Sequence, residues 1–200
     1  ILNICKDFSL HDEGIWKNLT KVAYYNRDKI EAGDYDSILA AFERLTEYPF
    51  KDAVSQNHIL IIQKKLMKNL SNLRLENSFR LFMILFKRNL FRNPQSIDLF
   101  DDFFHLNKDS LSKSHLIEIL YVYSKLNQQK AKLTEYIASQ ILDDKNLIFQ
   151  PDSLALLISE SEYAKLIWSC SQLKTFALQE LWDIFEVPLI CCFSKGPVFS

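Results

Sequence analysis

The sequence predicts an all-α fold of about ten short amphipathic helices, on two observations. Apolar residues recur every three or four positions along most of the chain, which is the period of an α-helix. Alternation of apolar and polar residues never lasts long enough to indicate a strand, and no Asn-Gly or Asp-Gly turn occurs. Only three of the 200 residues are glycines, which argues further against tight β-hairpins and glycine-rich phosphate-binding loops.

Start and stop residues predict where each helix lies. Asp12 precedes the first apolar stripe, and Asp34 or Asp36 can cap the second helix, which stops before Pro49. Asn93-Pro94 is a cap followed by the proline that helix starts tolerate. A capping-box pattern, Ser159-Glu160-Ser161-Glu162, precedes the ninth helix. The ten helices are expected to start near residues 12, 36, 53, 75, 94, 112, 130, 151, 160 and 175.

Four segments share one apolar pattern, which predicts an internal repeat. They close on Leu45, Phe86, Leu126 and Leu173, so successive copies are 41, 40 and 47 residues apart. Each copy is followed by a second amphipathic helix, and the longer last interval fits an extra short helix at Pro151. A helix pair cannot bury its apolar faces alone, so copies must stack. The sequence therefore predicts an α-solenoid of about four antiparallel helix pairs with a period near 40 residues. The alternative is an all-α bundle without a repeat.

We expect this repeat to form a single domain over residues 1–188, followed by an irregular tail at 189–200. The domain is either a processed mature chain or a fragment of a longer array, since the sequence begins at Ile1.

Two of the copies carry a family resemblance. Leu-Ile-Glu-Ile-Leu-Tyr-Val-Tyr-Ser-Lys-Leu-Asn at 116–127 and Tyr-Ala-Lys-Leu-Ile-Trp-Ser-Cys-Ser-Gln-Leu at 163–173 resemble the first helix of the heptatricopeptide-type repeats of RAP-domain and FAST-kinase-like proteins. The resemblance extends over 36–187 and is strongest at 112–187. It implies a mitochondrial or plastid protein that handles organellar RNA or belongs to an organellar ribosome. The RAP domain of that family is not visible here, so no nucleolytic role is implied.

Charge indicates one local site for RNA. The net charge of −1 excludes a global attraction to nucleic acid, but the segment 63–92 holds eight basic residues against Glu76. These residues lie one or two helical turns apart, so they form basic rows along two consecutive helices. Rows of this kind can neutralise successive phosphates of a nucleic acid. The predicted phosphate face comprises Lys64, Lys65, Lys68, Arg74, Arg80, Lys87, Arg88 and Arg92. The alternative is a solvated face balanced by the acidic residues Asp98, Asp101, Asp102 and Asp109.

Other constellations favour structure over chemistry. Helical spacing favours an inter-repeat core, rather than base stacking, for Phe79, Phe82, Phe86, Phe100, Phe103 and Phe104. Asp98, Asp101 and Asp102 fit a solvated face better than a divalent cation site. Adjacent Cys191 and Cys192 cannot form an ordinary disulfide with each other, and all four cysteines, with Cys5 and Cys170, are expected to be free thiols in a reducing compartment.

No catalytic motif occurs, since Gly-x-Ser-x-Gly, His-Glu-x-x-His and the P-loop are all missing from the sequence. We therefore expect a non-catalytic protein with no cofactor, metal or small-molecule substrate. The longest apolar runs, such as 82–86, are far shorter than the roughly 20 residues that a spanning helix needs, so no transmembrane segment is expected.

Together these features predict a helical-repeat protein of mitochondria that binds structured RNA, or packs against protein subunits of an RNA–protein assembly such as the mitochondrial ribosome. The alternative is a protein-only scaffold or accessory subunit of a mitochondrial complex, which the near-neutral total charge favours. The two differ in what faces the basic segment: phosphates indicate RNA, whereas acidic side chains or lipid headgroups indicate the alternative.

Overall fold

The computed structural model describes residues 12–28, 35–91, 93–128, 132–143 and 158–173, and all regular structure in them is helical. They form eight α-helices, numbered here in chain order, with single 3₁₀ turns at Leu70–Asn72 and Lys108–Ser110. The helices are α1 Glu13–Tyr25, α2 Tyr35–Glu47, α3 Ala53–Lys68, α4 Leu75–Lys87, α5 Pro94–Leu106, α6 Lys113–Lys125, α7 Lys132–Asp143 and α8 Glu160–Gln172. The all-α prediction is confirmed, and every one of these eight helices starts within two residues of its predicted position.

The helices expected at Pro151 and Thr175, the irregular tail at 189–200, and Cys5, Cys191 and Cys192 lie outside the described residues.

Short polar side chains fix several helix starts, as the sequence predicted at Asp12 and Ser159. Asp36, one of the two caps offered for α2, is instead the second residue of that helix. In four helices the N-cap side chain accepts a hydrogen bond from the backbone N–H three residues further on. These caps are Asp12, Asp52, Ser112 and Ser159. At α8 the capping box is complete, because Glu162 N donates to Ser159 Oγ at 3.2 Å and Ser159 N donates to the Glu162 carboxylate at 2.9 Å.

Two helices end in the same way. Asn89 follows α4 with φ 53° and Asn127 follows α6 with φ 55°, in the left-handed region that asparagine tolerates better than most residues. After α4, Leu90 N–H donates to the Leu85 carbonyl at 2.8 Å, and the equivalent bond after α6 measures 2.9 Å. This arrangement satisfies carbonyls that the end of a helix otherwise leaves unpaired.

The spacing of the elements along the chain is regular in its middle part. Helices α2, α4, α6 and α8 start at residues 35, 75, 113 and 160, which are 40, 38 and 47 residues apart. The 3₁₀ turns start at 70 and 108, again 38 residues apart. The apolar pattern pairs Leu126 with Phe86, but Leu126 is the C-cap residue that follows α6, and the C-cap residue that follows α4 is Arg88. The sequence register between these two copies is thus off by two residues.

The chain divides into two compact units between residues 97 and 98, and each is described by itself. In the first unit α1 packs against α2 and α3, and α2 packs against α3 and α4. The Trp16 ring stacks on that of Tyr48, with ring centroids 5.1 Å apart. The core of this unit includes Leu39, Phe42, Leu45, Ile59, Ile62, Leu66, Leu81, Phe82 and Leu85.

In the second unit α6 packs extensively against α8 and also contacts α7. One apolar stripe from each helix forms the core. It includes Phe100, Phe104, Ile119, Leu120, Val122, Tyr123, Leu133, Ile137 and Leu166. The amphipathic pattern read from the sequence therefore identifies the buried face of these helices correctly.

Asp101 is the one charged residue that is buried within the described part of the chain, and it joins three helices. From α5, its carboxylate accepts hydrogen bonds from the backbone N–H groups of Lys132 at 2.8 Å and Leu133 at 3.2 Å, at the start of α7. It also accepts the Tyr123 hydroxyl of α6 at 3.1 Å. Burial, together with the Asp101 charge, raises the pKa of Tyr123 well above its ordinary value. The hydroxyl therefore stays protonated and remains a donor.

We expect Asp101→Ala to lower the free energy of unfolding by more than about 2 kcal/mol, because it leaves three buried or helix-terminal donors without an acceptor. The matched control is Asp102→Ala. The exposed Asp102 side chain pairs with Lys132 Nζ at 2.7 Å, and such a pair contributes at most about 1 kcal/mol. Urea unfolding of both variants measures the difference. Equal destabilisation of the two variants would contradict the role assigned to Asp101.

Candidate nucleic-acid interface

Three arginines of the predicted phosphate face are held by carboxylates of α2. Arg74, which immediately precedes α4, pairs with Asp36. Within α4, Arg80 Nε donates to Glu43 at 3.0 Å, and just after α4 Arg88 lies 3.1 Å from Glu47. Because α2 and α4 are neighbours in the first unit, each guanidinium reaches an acidic side chain of the same chain.

A fourth basic residue, Lys65, lies 3.5 Å from the Asp28 carboxylate. Asp36 is further fixed because the Asn77 amide donates to it at 2.7 Å. The hydrogen bonds from Asn77 and then Arg74 lower the pKa of Asp36 from its ordinary value. At neutral pH this carboxylate is therefore ionised and remains available as the partner of Arg74.

The neutralising carboxylates are not those that the sequence suggested. Asp101 and Asp102 bind α7, and Asp109 accepts the Tyr136 hydroxyl at 3.3 Å, all within the second unit. The acidic residues that face the basic segment instead precede it in the chain. Asp36 lies 38 residues before Arg74, and Glu43 lies 37 residues before Arg80. Helix packing, and not sequence proximity, brings these charges together.

Three lysines of the predicted face remain exposed: Lys64, Lys68 and Lys87. Lys64 and Lys68 lie one turn apart on α3, and Lys87 is the last residue of α4. Within the residues that the structure describes, none of the three forms an ion pair. Arg92 lies outside the described residues. Phosphate binding by the eight residues stays a prediction. Among the described residues, Lys64, Lys68 and Lys87 are the members of the set that are exposed and form no ion pair.

Three of the six phenylalanines weighed as base-stacking residues belong to the core. Phe82, Phe100 and Phe104 have no exposed surface, so they cannot stack on bases without unfolding. The preference for a structural role is confirmed for them. Phe79, Phe86 and Phe103 are partly exposed.

Sequence reasoning missed a cluster of rings and cations on the second unit. We call it the Trp168 cluster, and it comprises Tyr121, Lys125, Lys165 and Trp168. Lys125 Nζ lies 3.8 Å from the Trp168 ring centroid and 5.3 Å from that of Tyr121, and Lys165 Nζ lies 5.8 Å from the latter. Tyr121 and Lys125 are four residues apart, a spacing that puts them on one helix face. Only the packing of α6 on α8 adds Trp168, so no local sequence pattern indicates the whole cluster.

The first unit also contains an open cleft of about 200 Å³. Its lining includes apolar and aromatic residues together with polar and basic ones: Tyr48, Phe50, Ile59, Leu60, Leu90, Thr46, Gln56 and Arg88. Polar side chains there have partners, since Gln56 donates to the Phe50 carbonyl at 2.8 Å and Arg88 pairs with Glu47.

Among the described residues, no group of three His, Cys, Asp or Glu side chains could hold a metal ion. No helix in the same residues is long and apolar enough to span a membrane.

Comparisons of the chain with protein-family models, with curated proteins and with solved structures found no match. The resemblance to heptatricopeptide-type repeats therefore stays a prediction, as do the mitochondrial location and the absence of catalysis.

Cys170 is a free thiol buried in the second unit, and burial raises its pKa from the ordinary value of 9.0 to about 12. We expect this thiol to be unreactive toward Ellman's reagent at pH 8 in the native protein and fully reactive after unfolding in guanidinium, because the thiolate is the nucleophile. A variant with Ser in place of Cys5, Cys191 and Cys192 isolates the signal.

The same shift predicts the sign of a pH effect. Between about pH 9 and pH 12 the unfolded thiol ionises while the folded one stays protonated, so its contribution to stability is present below about pH 9 and is lost as the pH rises. In the experiment with Ellman's reagent, a reaction of Cys170 in the native protein that is as fast as in the unfolded chain would contradict the burial of this thiol.

Proposed function

We propose that this chain is a non-catalytic helical-repeat scaffold that packs as a structural subunit against protein neighbours in a larger mitochondrial assembly. The observation that carries the proposal is the pairing of Arg74, Arg80 and Arg88 with carboxylates of α2. The guanidinium groups of the basic segment therefore face acidic side chains of the same chain. This is the arrangement expected of the protein-only alternative.

The proposal includes an α-solenoid, and two features support it. The 38-residue spacing of helix and 3₁₀ starts is what a repeated helix pair produces. Moreover, an equivalent hydrogen bond occurs in each unit. It joins the second residue of one helix to the third residue of the helix two places further along the chain. Asp36 of α2 accepts from Asn77 of α4, and Ser114 of α6 donates to Glu162 of α8.

A stack of helix pairs is suited to scaffolding because each added pair lengthens a continuous surface for partners. The mitochondrial location rests on the sequence resemblance alone, and it is part of the proposal for that reason.

Sedimentation of the tagged full chain in mitochondrial extracts tests the proposal. We expect the chain to sediment in a complex much larger than itself, and we expect treatment with RNase A to leave the complex unchanged. A ribosomal protein in the same gradient is the control for RNA digestion. Sedimentation as a free chain would overturn the scaffold proposal, and collapse of the complex after RNase would replace it with the second candidate.

The second candidate is RNA binding, and the observation that favours it is the exposure of Lys64, Lys68 and Lys87 without ion pairs in the described residues. Exposed ammonium groups can neutralise phosphates and release counterions. They would act on the RNA backbone without reading bases.

If these lysines bind phosphate, reversing all three to Glu should weaken the affinity for a fluorescein-labelled 20-nucleotide RNA by at least about tenfold. The slope of log K against log salt should fall by about one for each lysine. The control reverses the exposed Lys21, Lys51 and Lys113, which changes the net charge equally. Fluorescence anisotropy measures both. Equal losses in the two variants would reduce the effect to net charge and would contradict a defined RNA face.

A further inference from the structure

The Trp168 cluster combines an exposed indole with an ammonium group that pairs with no carboxylate in the described part of the chain. Trp168 is 43% exposed, although an apolar surface of this size is usually buried. Lys125 is exposed and lies over the indole, and within the described residues no carboxylate pairs with it. Lys165, in contrast, pairs with Glu118.

The position of the cluster makes it accessible to a partner backbone. Trp168 lies on the outer row of α8 between Ala164 and Ser171, which are both exposed. Side chains three and four residues away lie on the same helix face, so the small Ala164 and Ser171 flank the indole on one edge, and the longer Lys165 and Gln172 flank it on the other. A partner segment can therefore approach the helix closely along the edge of the ring that Ala164 and Ser171 flank.

The contacts of Lys125 order the ring before any partner arrives. An ammonium group over an aromatic face is attracted to it, by about 0.5–1 kcal/mol at an exposed site. A ring that is already held in place loses less conformational freedom on binding. Tryptophan is one of the residue types, with Tyr and Arg, that are enriched among the few residues that dominate the binding energy of protein interfaces.

The charges around the cluster decide which class of partner fits. Helices α6 and α8 carry three lysines and three glutamates: Lys113, Lys125, Lys165, Glu118, Glu160 and Glu162. Their charges cancel, so a polyanion such as RNA gains little there, since RNA affinity rests on neutralising several phosphates. One unpaired ammonium beside one indole instead matches a segment that offers a carboxylate next to an apolar ring.

We propose that the Trp168 cluster is a docking site for an acidic segment of a partner protein that carries an aromatic side chain beside its carboxylates. The aromatic side chain packs on the indole of Trp168, and a carboxylate accepts from Lys125. This inference rests on the proposed scaffold function and names the chemistry of one partner.

The test titrates the ¹⁵N-labelled full chain with the pentapeptide acetyl-Glu-Glu-Phe-Glu-Glu-amide and follows the indole N–H of Trp168 by NMR. Loss of that signal in Trp168→Ala assigns it. Two control peptides replace either all Glu with Gln or the Phe with Ala, and octauridylate is the nucleic-acid control. We expect the parent peptide to shift the Trp168 signal and to bind more tightly than all three controls.

We expect Trp168→Ala and Lys125→Gln each to weaken binding of the parent peptide by about tenfold, the loss typical of an interface anchor, as measured in every variant from the backbone amide signals of α8. Lys51→Gln removes an exposed lysine that belongs to neither the Trp168 cluster nor the predicted phosphate face, and it should change the affinity by less than about twofold. Circular dichroism establishes that the variants are folded.

The proposal is overturned if the parent peptide leaves Trp168 unshifted, if the Gln or Ala peptide binds equally well, or if Lys51→Gln weakens binding as much as Lys125→Gln. It is also overturned if octauridylate binds more tightly, since the cluster would then serve nucleic acid. An RNase-resistant complex that persists in the Trp168→Ala variant would leave the scaffold function standing while this site fails.

Discussion

Every described helix depends on burying one apolar face against another helix. The helices have 12 to 16 residues, a length at which an isolated helix is marginal in water. Leu39, Leu81 and Leu120, on three different helices, are completely buried, and such burial is the main source of stability for a helix this short. Packing has to come first, and the polar contacts then act on helices whose positions it has already restricted.

Polar contacts differ in consequence according to their burial. The buried Asp101 carboxylate must keep all its donors, because an unpaired charge in the core is costly, and it therefore ties the start of α7 to α5 and α6. The pairs of Arg74 and Arg80 with α2 are largely exposed, and pairs of that kind add little to stability. Their importance lies elsewhere, since they decide which cations remain available to a partner.

Local sequence patterns predicted the positions of the helices well, but they could not predict the contacts between helices. The start of α8 follows from Ser159 and Glu162 alone, because a capping box is complete within four residues. The alignment of the repeats was wrong by two residues at Leu126, because an apolar residue that directly follows a helix looks in the sequence like one within it. Neither the Arg74–Asp36 pair nor the contact of Lys125 with Trp168 has a local signal. Each joins residues about 40 positions apart, which only helix packing brings together.

The internal ion pairs oppose RNA binding by the arginines in two ways. A phosphate that binds Arg80 must first displace Glu43, so one charged hydrogen bond is exchanged for another with little net gain. The displaced carboxylate then lies beside a polyanion, and like charges at close range repel. A protein partner avoids the second penalty, because its surface can offer a donor to the released carboxylate. The same pairs that weaken a phosphate face are therefore compatible with a protein interface, where both signs of charge find complements.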